Sequence, residues 1–419
     1  MPHVLAQAVE VLTTVLTVAG MGYFAAALLA AFVFLGRRRA AGTGFTPGVS
    51  ILKSLKGMDP AMLDAFRSHC RQNYPGEYEL LFGVSADDDP AAEAVRQLQK
   101  EFPGHAIRLI VCPQRLGTNG KVSTLAQLVP HARYQYLLIN DSDITVSPRY
   151  LERVMKEFQP TGNRELGTEK QGTENPGIEN LGTRPQKNQA TNPRRPVGLV
   201  TALYRGRPHG SVASRFEALG IATDFQPSVL LARWIEGGLR YGLGSTLAVS
   251  REALAAIGGF ETLADHLADD YELGARIYAA GYAVALSREV VETSVPDYQW
   301  SGFFDHQLRW YRTVRDARPG GYAGLVFTQG LAWAVLNVVA SGLSPLSIWL
   351  LAMSFFLRMA MAMGVATNVL ADHSVLPNLW LLPLRDLVAM GTWVAGFAGN
   401  TIVWRGERFV VSKGKLTRA

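Results

Sequence analysis

Apolar residues fill positions 9 to 35 almost without interruption, a run long enough to cross a bilayer as a helix. The pattern then changes to short apolar segments separated by polar stretches. Gly48–Leu52, Glu79–Val84, Ile107–Val111, Tyr136–Asn140 and Val197–Ala202 read as buried strands. Between the second and third, residues 91 to 102 have helical spacing and no breaker. Strand, helix, strand in repetition predicts an α/β fold with parallel pairing and crossover helices. Residues 211 to 315 are mixed, and from Tyr322 the chain turns apolar again. Three further spans are expected near 323–341, 345–364 and 378–401, the first two separated by Gly342-Leu343-Ser344-Pro345.

One segment fits neither pattern. Residues 161 to 196 are Gly, Thr, Asn, Glu, Lys, Gln and Pro with few aliphatics, and Gly167-Thr168-Glu169 returns as Gly172-Thr173-Glu174. Such a stretch buries too little surface to offset its ordering entropy, so it reads as a disordered insertion in a surface loop. The predicted organisation is therefore a transmembrane helix at 1–36, a cytoplasmic catalytic domain at 45–315, transmembrane or interfacial helices at 321–403 and a basic tail at 404–419.

Charge orients this scheme. Arg37-Arg38-Arg39 follows the first span and should stay cytoplasmic. The run is too long, and its basic residues fall on the wrong side, for a cleaved signal peptide. Three C-terminal spans would leave the tail outside, yet it carries Arg405, Arg408, Lys413, Lys415 and Arg418. One segment is then expected to be interfacial or re-entrant, and Arg358 or Arg385-Asp386 marks the candidates. The net charge of +6 lies largely beside membrane segments, which favours anionic lipid head groups as its partner. No nucleic-acid motif is present. Two cysteines, Cys70 and Cys112, give neither a zinc spacing nor a disulfide framework.

The candidate chemistry sits at strand ends and helix starts. Asp141-Ser142-Asp143 closes the strand at 136–140, where ligand sites of open α/β sheets lie. Two acids one residue apart can hold a hard divalent cation, and that cation a diphosphate; a solvated turn has the same composition. Ala86-Asp87-Asp88-Asp89-Pro90 follows the second strand and is either a base- or ribose-binding acid or a helix N-cap. Gly117-Thr118-Asn119-Gly120-Lys121 opens a helix and suits a phosphate, without the spacing of a P-loop. Asp269-Asp270 stands at another helix start, where one acid is a cap and a second could be a general base. His306, Arg309 and Trp310 share a helix face, fit for clamping phosphate and stacking on a sugar or lipid, or for sitting at a lipid interface.

In this order the residues resemble membrane glycosyltransferases of the GT-A fold: D, then G-x-N-x-K, then D-x-D, then D-D, then the R-W motif ahead of a membrane segment. The chain looks most like the ceramide glucosyltransferase branch, whose bacterial members include hopanoid-associated glycosyltransferases. The resemblance implies a Rossmann-like, mostly parallel mixed sheet and one sugar passed with inversion to a membrane lipid, a hopanoid polyol or a ceramide-like alcohol. The implied donor is UDP-N-acetylglucosamine or UDP-glucose. It implies Mg²⁺ or Mn²⁺ on Asp141 and Asp143, and nucleotide contacts from Asp87, Asn119, Lys121 and Asp141. It also implies Asp270 as general base, and an acceptor and diphosphate site made of Asp269, His306, Gln307, Arg309 and Trp310. The implied location is the inner membrane, multi-pass, with the catalytic domain in the cytoplasm. Two departures stand out. Register puts Ala86 where relatives carry the first aspartate, so Asp87 or Asp89 must serve, and His306 replaces the usual Gln or Arg. A processive polysaccharide synthase of the same fold is the enzymatic alternative; a membrane transporter or scaffold is the alternative of another class.

Overall fold

A computed structural model describes residues 2–36, 44–59, 61–159, 195–404 and 407–418. The Arg37–Arg39 triplet, Arg405 and all but the last two residues of the 161–196 insertion lie outside the described residues.

Eight strands form the central sheet: β1 (Val49–Ser54), β2 (Tyr78–Val84), β3 (Ile107–Val111), β4 (Tyr136–Ile139), β5 (Ile144–Thr145), β6 (Val197–Pro208), β7 (Leu247–Ser250) and β8 (Ala283–Val295). Their order is β3-β2-β1-β4-β7-β6-β8-β5. The three pairings among the first four strands are as expected: β1 runs parallel to β2 and β4, and β2 parallel to β3. β7 then reverses direction between β4 and β6, and β6 and β8 are parallel again. The sheet is thus mixed, with β7 antiparallel to both of its neighbours.

Both faces of the sheet are covered. Val49 and Ile51 belong to one core and Leu52 to the other; Leu138 and its neighbours Leu137 and Ile139 divide the same way. Burial on both sides explains why these strands read as continuous apolar runs rather than alternating ones. The core that holds Leu137 and Ile139 continues into Phe24, Ala27 and Ala31 of the first helix and Met361, Val365 and Ala366 near the C-terminus. Sheet and membrane helices therefore share one packed interior.

The first helix spans Pro2–Gly36 and contains the expected 9–35 run. It meets the C-terminal helices at backbone distance: a Cβ on Gly20 would lie 2.2 Å from Gly330 Cα. Small residues permit this approach, on which helix association in lipid depends. Nearby, Thr13 and Thr14 both donate to Asn337 Oδ1 at 3.0 Å.

The C-terminal region departs from expectation. The first expected span is two helices, Pro319–Thr328 and Gly330–Ala340, bent by 58°. Pro345–Val369 is long and apolar enough to cross a membrane, as is the first helix. The stretch expected to span at 378–401 is instead a 3₁₀ segment, His373–Leu381, followed by a helix, Leu382–Gly396. Pro383, in the first turn of that helix, separates it from the 3₁₀ segment, and Arg385 and Asp386 lower its apolarity. Among the described residues two helices qualify as crossing, or three if the bent pair counts as one.

The tail is not a solvated basic extension. β9 (Thr401–Trp404), β10 (Glu407–Ser412) and β11 (Lys415–Arg418) form an antiparallel meander. Leu416 N donates to Asp265 O at 2.8 Å and Leu267 N donates to Gly414 O at 3.1 Å. These bonds hold the tail on the sheet domain, so both lie on one side of any membrane the chain crosses. That is the arrangement expected if one C-terminal segment does not cross, as the charge of the tail requires.

Candidate active site

The D-x-D turn lies between β4 and β5, and its neighbours hold it rigidly. Asn140 Nδ2 donates to Tyr150 Oη at 2.9 Å and to Ser245 O at 2.7 Å. Ser142 Oγ donates to Asp59 Oδ2 at 2.6 Å, and Lys53 Nζ donates to Asp141 O at 3.0 Å. The two acids face different neighbours. Asp141 Oδ1 pairs with Lys121 Nζ at 2.8 Å. Asp143 Oδ2 accepts from Thr293 Oγ1 at 2.5 Å and Ser294 N at 3.1 Å, both on β8.

Lys121 is brought there by a capped helix. Asn119 Oδ1 accepts from Val122 N at 3.2 Å and so caps the helix Gly120–Leu128. Its amide also reaches across the site: Nδ2 donates to His266 O at 2.8 Å and lies 3.4 Å from Asp269 Oδ1. Gly117 is required for this closeness, because a Cβ would stand 2.5 Å from Ala264 O. Lys121 Nζ thereby also sits 3.4 Å from Asp269 Oδ2. Asp269 and Asp270 form the first turn of the helix Asp269–Ala279, where the dipole favours negative charge. Asp270 Oδ1 accepts from Tyr271 N at 2.8 Å, while its other oxygen faces Gly244, where a Cβ would lie 3.0 Å away. Tyr241 stacks on Tyr271 at 5.7 Å, and Gly242 and Gly244 lie against Asp270, so the Tyr241–Gly244 stretch borders this acid.

Four carboxylates and two lysines thus meet at the strand ends, and their charges are strongly coupled. Burial, then the proximity of Asp269, pushes the Asp270 carboxyl up to about 6, against the pull of Lys121. Burial, then Asp141, pushes Asp143 up to about 6 as well. Burial lowers Lys53 to about 7, although Asp143 and Asp141 oppose it. For Lys121 burial also disfavours the charge, but Asp141 and Asp269 outweigh it and hold the ammonium protonated.

The helix Trp300–Ala317 closes the other side. His306 Nδ1 lies 2.9 Å from Glu217 Oε2, a buried acid on the helix Val212–Gly220. The imidazole packs on Trp310 at 4.9 Å and on Tyr298 at 5.7 Å. Gln307 points inward and is buried. Burial, then Glu217, pushes the Tyr298 phenol up, and Arg309 opposes them. Tyr204 on β6 feels Asp270, Glu217, Asp141 and Asp143 together. Both phenols pack with Trp310 on one small apolar cluster of Ala218, Ile221 and Val295, on the side of the R-W helix.

Asp87 does not share these contacts. It is exposed and pairs with Arg96 at 2.8 Å. Asp89 instead caps the helix Pro90–Glu101 through Ala91 N at 2.9 Å and accepts from Gly57 N, in the loop after β1, also at 2.9 Å. Lys53, Asp59, Tyr204, Glu217 and Tyr298 were not anticipated from the sequence. For Lys53 a signal existed, because a lysine at the carboxyl end of a buried strand is as noteworthy as Asp141 at the end of another.

The sequence profile of glycosyl transferase family 21 matches residues 12–164 and 189–417. The chain belongs to glycosyl transferase family 21. This family 21 glycosyltransferase is 22% identical over 385 residues to ceramide glucosyltransferase 3 of Caenorhabditis elegans, covering 88% of this chain and 73% of that one. It is 31% identical over 110 residues to the ceramide glucosyltransferase of Komagataella phaffii, covering 25% of this chain and 21% of the relative. Its fold is shared with the mannosyltransferase PcManGT of Pyrobaculum calidifontis, solved with GDP-Man and Mn²⁺. The TM-score is 0.54 at 18% identity, and the match covers 93% of this chain and 97% of that one. Among the described residues no three His, Cys, Asp or Glu side chains group into a protein-only metal site.

Proposed function

We propose that this family 21 glycosyltransferase moves a single sugar from a UDP-sugar to a hydroxyl of a membrane lipid, with inversion at the anomeric carbon. The observation that carries the reading is Asp270, a carboxylate held partly buried beside Lys121 and Asp269 with one oxygen turned toward Gly244. Asp270 removes the proton from the acceptor hydroxyl, and that oxygen forms a bond to the anomeric carbon as the bond to the diphosphate breaks. UDP departs with the electron pair. Lys121 offers the leaving phosphates a fixed positive charge, and Asn119 keeps its helix N-terminus aimed at the same place. Arg309, Trp310 and His306 line the acceptor side.

The donor set at Asp141 and Asp143 fits a hard divalent cation. It is all oxygen, and the enclosed negative charge is only partly offset by Lys53 and Lys121. Mg²⁺ or Mn²⁺ held there, with phosphate oxygens as further ligands, would supply positive charge to the departing diphosphate. The Mn²⁺ of the mannosyltransferase neighbour supports this, and the names of the ceramide glucosyltransferase relatives support a lipid alcohol as acceptor. A hopanoid polyol has the same reactive group. Positive charge flanking the first span supports a cytoplasmic catalytic domain in a multi-pass inner-membrane protein.

The transporter reading has little to work with. Asp386, the one buried acid within the expected spans, is engaged by Arg358 through two bonds of 2.8 and 2.7 Å. The test is sugar transfer by purified full-length protein. UDP-glucose and UDP-N-acetylglucosamine are each offered with Mg²⁺ or Mn²⁺, ceramide and a hopanoid-containing lipid extract, and lipid masses are read. One hexose or N-acetylhexosamine added, and lost with EDTA, is the expected result. A ladder of additions points to the polymer synthase, and no addition from folded protein overturns the proposal.

A further inference from the structure

We propose that the C-terminal meander β9–β11 is a positioning element of the active site, holding the loop that delivers Asp269 and Asp270 against the helix that carries Arg309 and Trp310. The inference rests on the reading of Asp270 as the acceptor base.

The loop before Asp269 is bound from two sides in alternation. Ala264 O accepts from Asn119 N at 2.7 Å and His266 O accepts from Asn119 Nδ2 at 2.8 Å. Between and beyond them, Asp265 O accepts from Leu416 N at 2.8 Å and Leu267 N donates to Gly414 O at 3.1 Å. Successive backbone groups of the loop thus face Asn119 on one side and the meander on the other, as a strand does between two neighbours. Leu267 is also the loop's contribution to a small apolar nucleus with Ile402, Phe409, Val411 and Leu416.

The meander is in turn fastened to the R-W helix. Asp316 accepts from Lys413 N at 3.1 Å and from Gly414 N, which pins the turn between β10 and β11. That turn needs left-handed backbone, with φ of 51° at Lys413 and 78° at Gly414. Arg315 donates to the carbonyls of Gly396 and Gly399 at 2.6 and 2.8 Å, and Arg312 to those of Ala398 and Thr401. The helix that carries Arg309 therefore also anchors the segment that leads into β9. Without the meander, the Asp269–Asp270 loop would keep only its Asn119 side and would lose its tie to the acceptor side.

The experiment uses full-length protein in the transfer assay. Leu416→Asp puts a charge into the apolar nucleus, and Asp316→Ala removes the turn's acceptor on the surface of the helix. Turnover should fall about 100-fold for the first and about 10-fold for the second, the scale set by small misplacements of catalytic groups. The KM for the UDP-sugar should stay near the parent value, and Leu416→Met should restore the turnover that Leu416→Asp loses. Asp270→Asn runs alongside. If it abolishes transfer while Asp316→Ala keeps the parent turnover, or changes only KM, the positioning role is overturned, even where Leu416→Asp does not fold. If Asp270→Asn stays active, the base assignment falls instead.

Discussion

Two charged clusters lie wholly or partly inside this molecule, and they are built on opposite principles. At the strand ends, Asp141, Asp143, Asp269 and Asp270 face Lys53 and Lys121, which leaves negative charge uncompensated. On the membrane side, Arg358 pairs with Asp386 at 2.7 Å and Asp224 at 2.5 Å, and Arg385 pairs with Asp224 at 2.7 Å. Two cations there meet two anions. Arg358 also donates to Thr223 O at 2.7 Å, a carbonyl of the π-helical turn Ile221–Phe225. A closed, neutral set of this kind fixes helices to one another; an open, unbalanced set awaits a cationic partner. Balance of charge, rather than burial alone, separates structure from chemistry here.

Substitutions should divide along that line. Asp270→Asn is expected to lower turnover by about 10²- to 10⁴-fold, the range for a general base, with the unfolding temperature unchanged or raised because a like charge is gone. Arg358→Met should do the reverse. It strands Asp386 in the interior and should destabilise the protein by about 3–5 kcal/mol, read by denaturant unfolding in detergent. Arg358→Met with Asp386→Leu should recover most of that loss, since an apolar pair of similar volume serves a structural site. Recovery of activity by an apolar replacement of the strand-end acids would erase the distinction.

The pH response sharpens it. Asp270 titrates at about 6 in the folded protein, against about 3.9 for an unperturbed aspartate. The folded state holds the proton more tightly, so this group's contribution to stability is full below about 4 and is lost as pH rises through about 6. Activity should move oppositely and rise through about 6, because the base works ionised. Turnover and unfolding temperature measured on one pH series, with and without Asp270→Asn, check both signs; a slope that survives the substitution belongs to another group. The smallest effect is expected at Lys53. Lys53→Met removes the donor to Asp141 O and should raise the KM for the UDP-sugar roughly tenfold, the equivalent of one charge-assisted hydrogen bond of about 1.5 kcal/mol.

Much of this was legible in the chain. The strands at 48–52, 79–84, 107–111 and 136–140 lie within two residues of their observed ends, because burial on both faces leaves unbroken apolar runs. Asn119, Lys121, Asp141, Asp269 and Asp270 were visible as polar residues at strand ends and helix starts, and they do meet. Glu217 and Tyr204 were not, since a helix interior and a strand interior give no local sign of what they face. The charges of the tail are legible in the sequence, and the strands within it are given away only by its alternation. Phe409, Val411 and Leu416 face one nucleus, with Lys413-Gly414 as the turn. Register points to Asp87 but does not reveal its pairing with Arg96, nine residues on in the helix Pro90–Glu101.

The contact between Gly20 and Gly330 has a consequence for biogenesis. The first helix leaves the ribosome long before the surface it must pack against has been made. Until residue 330 follows, its glycine face has only lipid to lie on. Full-length chains should therefore hold this helix far more firmly than chains stopped before residue 330, and a generic apolar anchor in its place should insert but leave the rest of the protein without its companion.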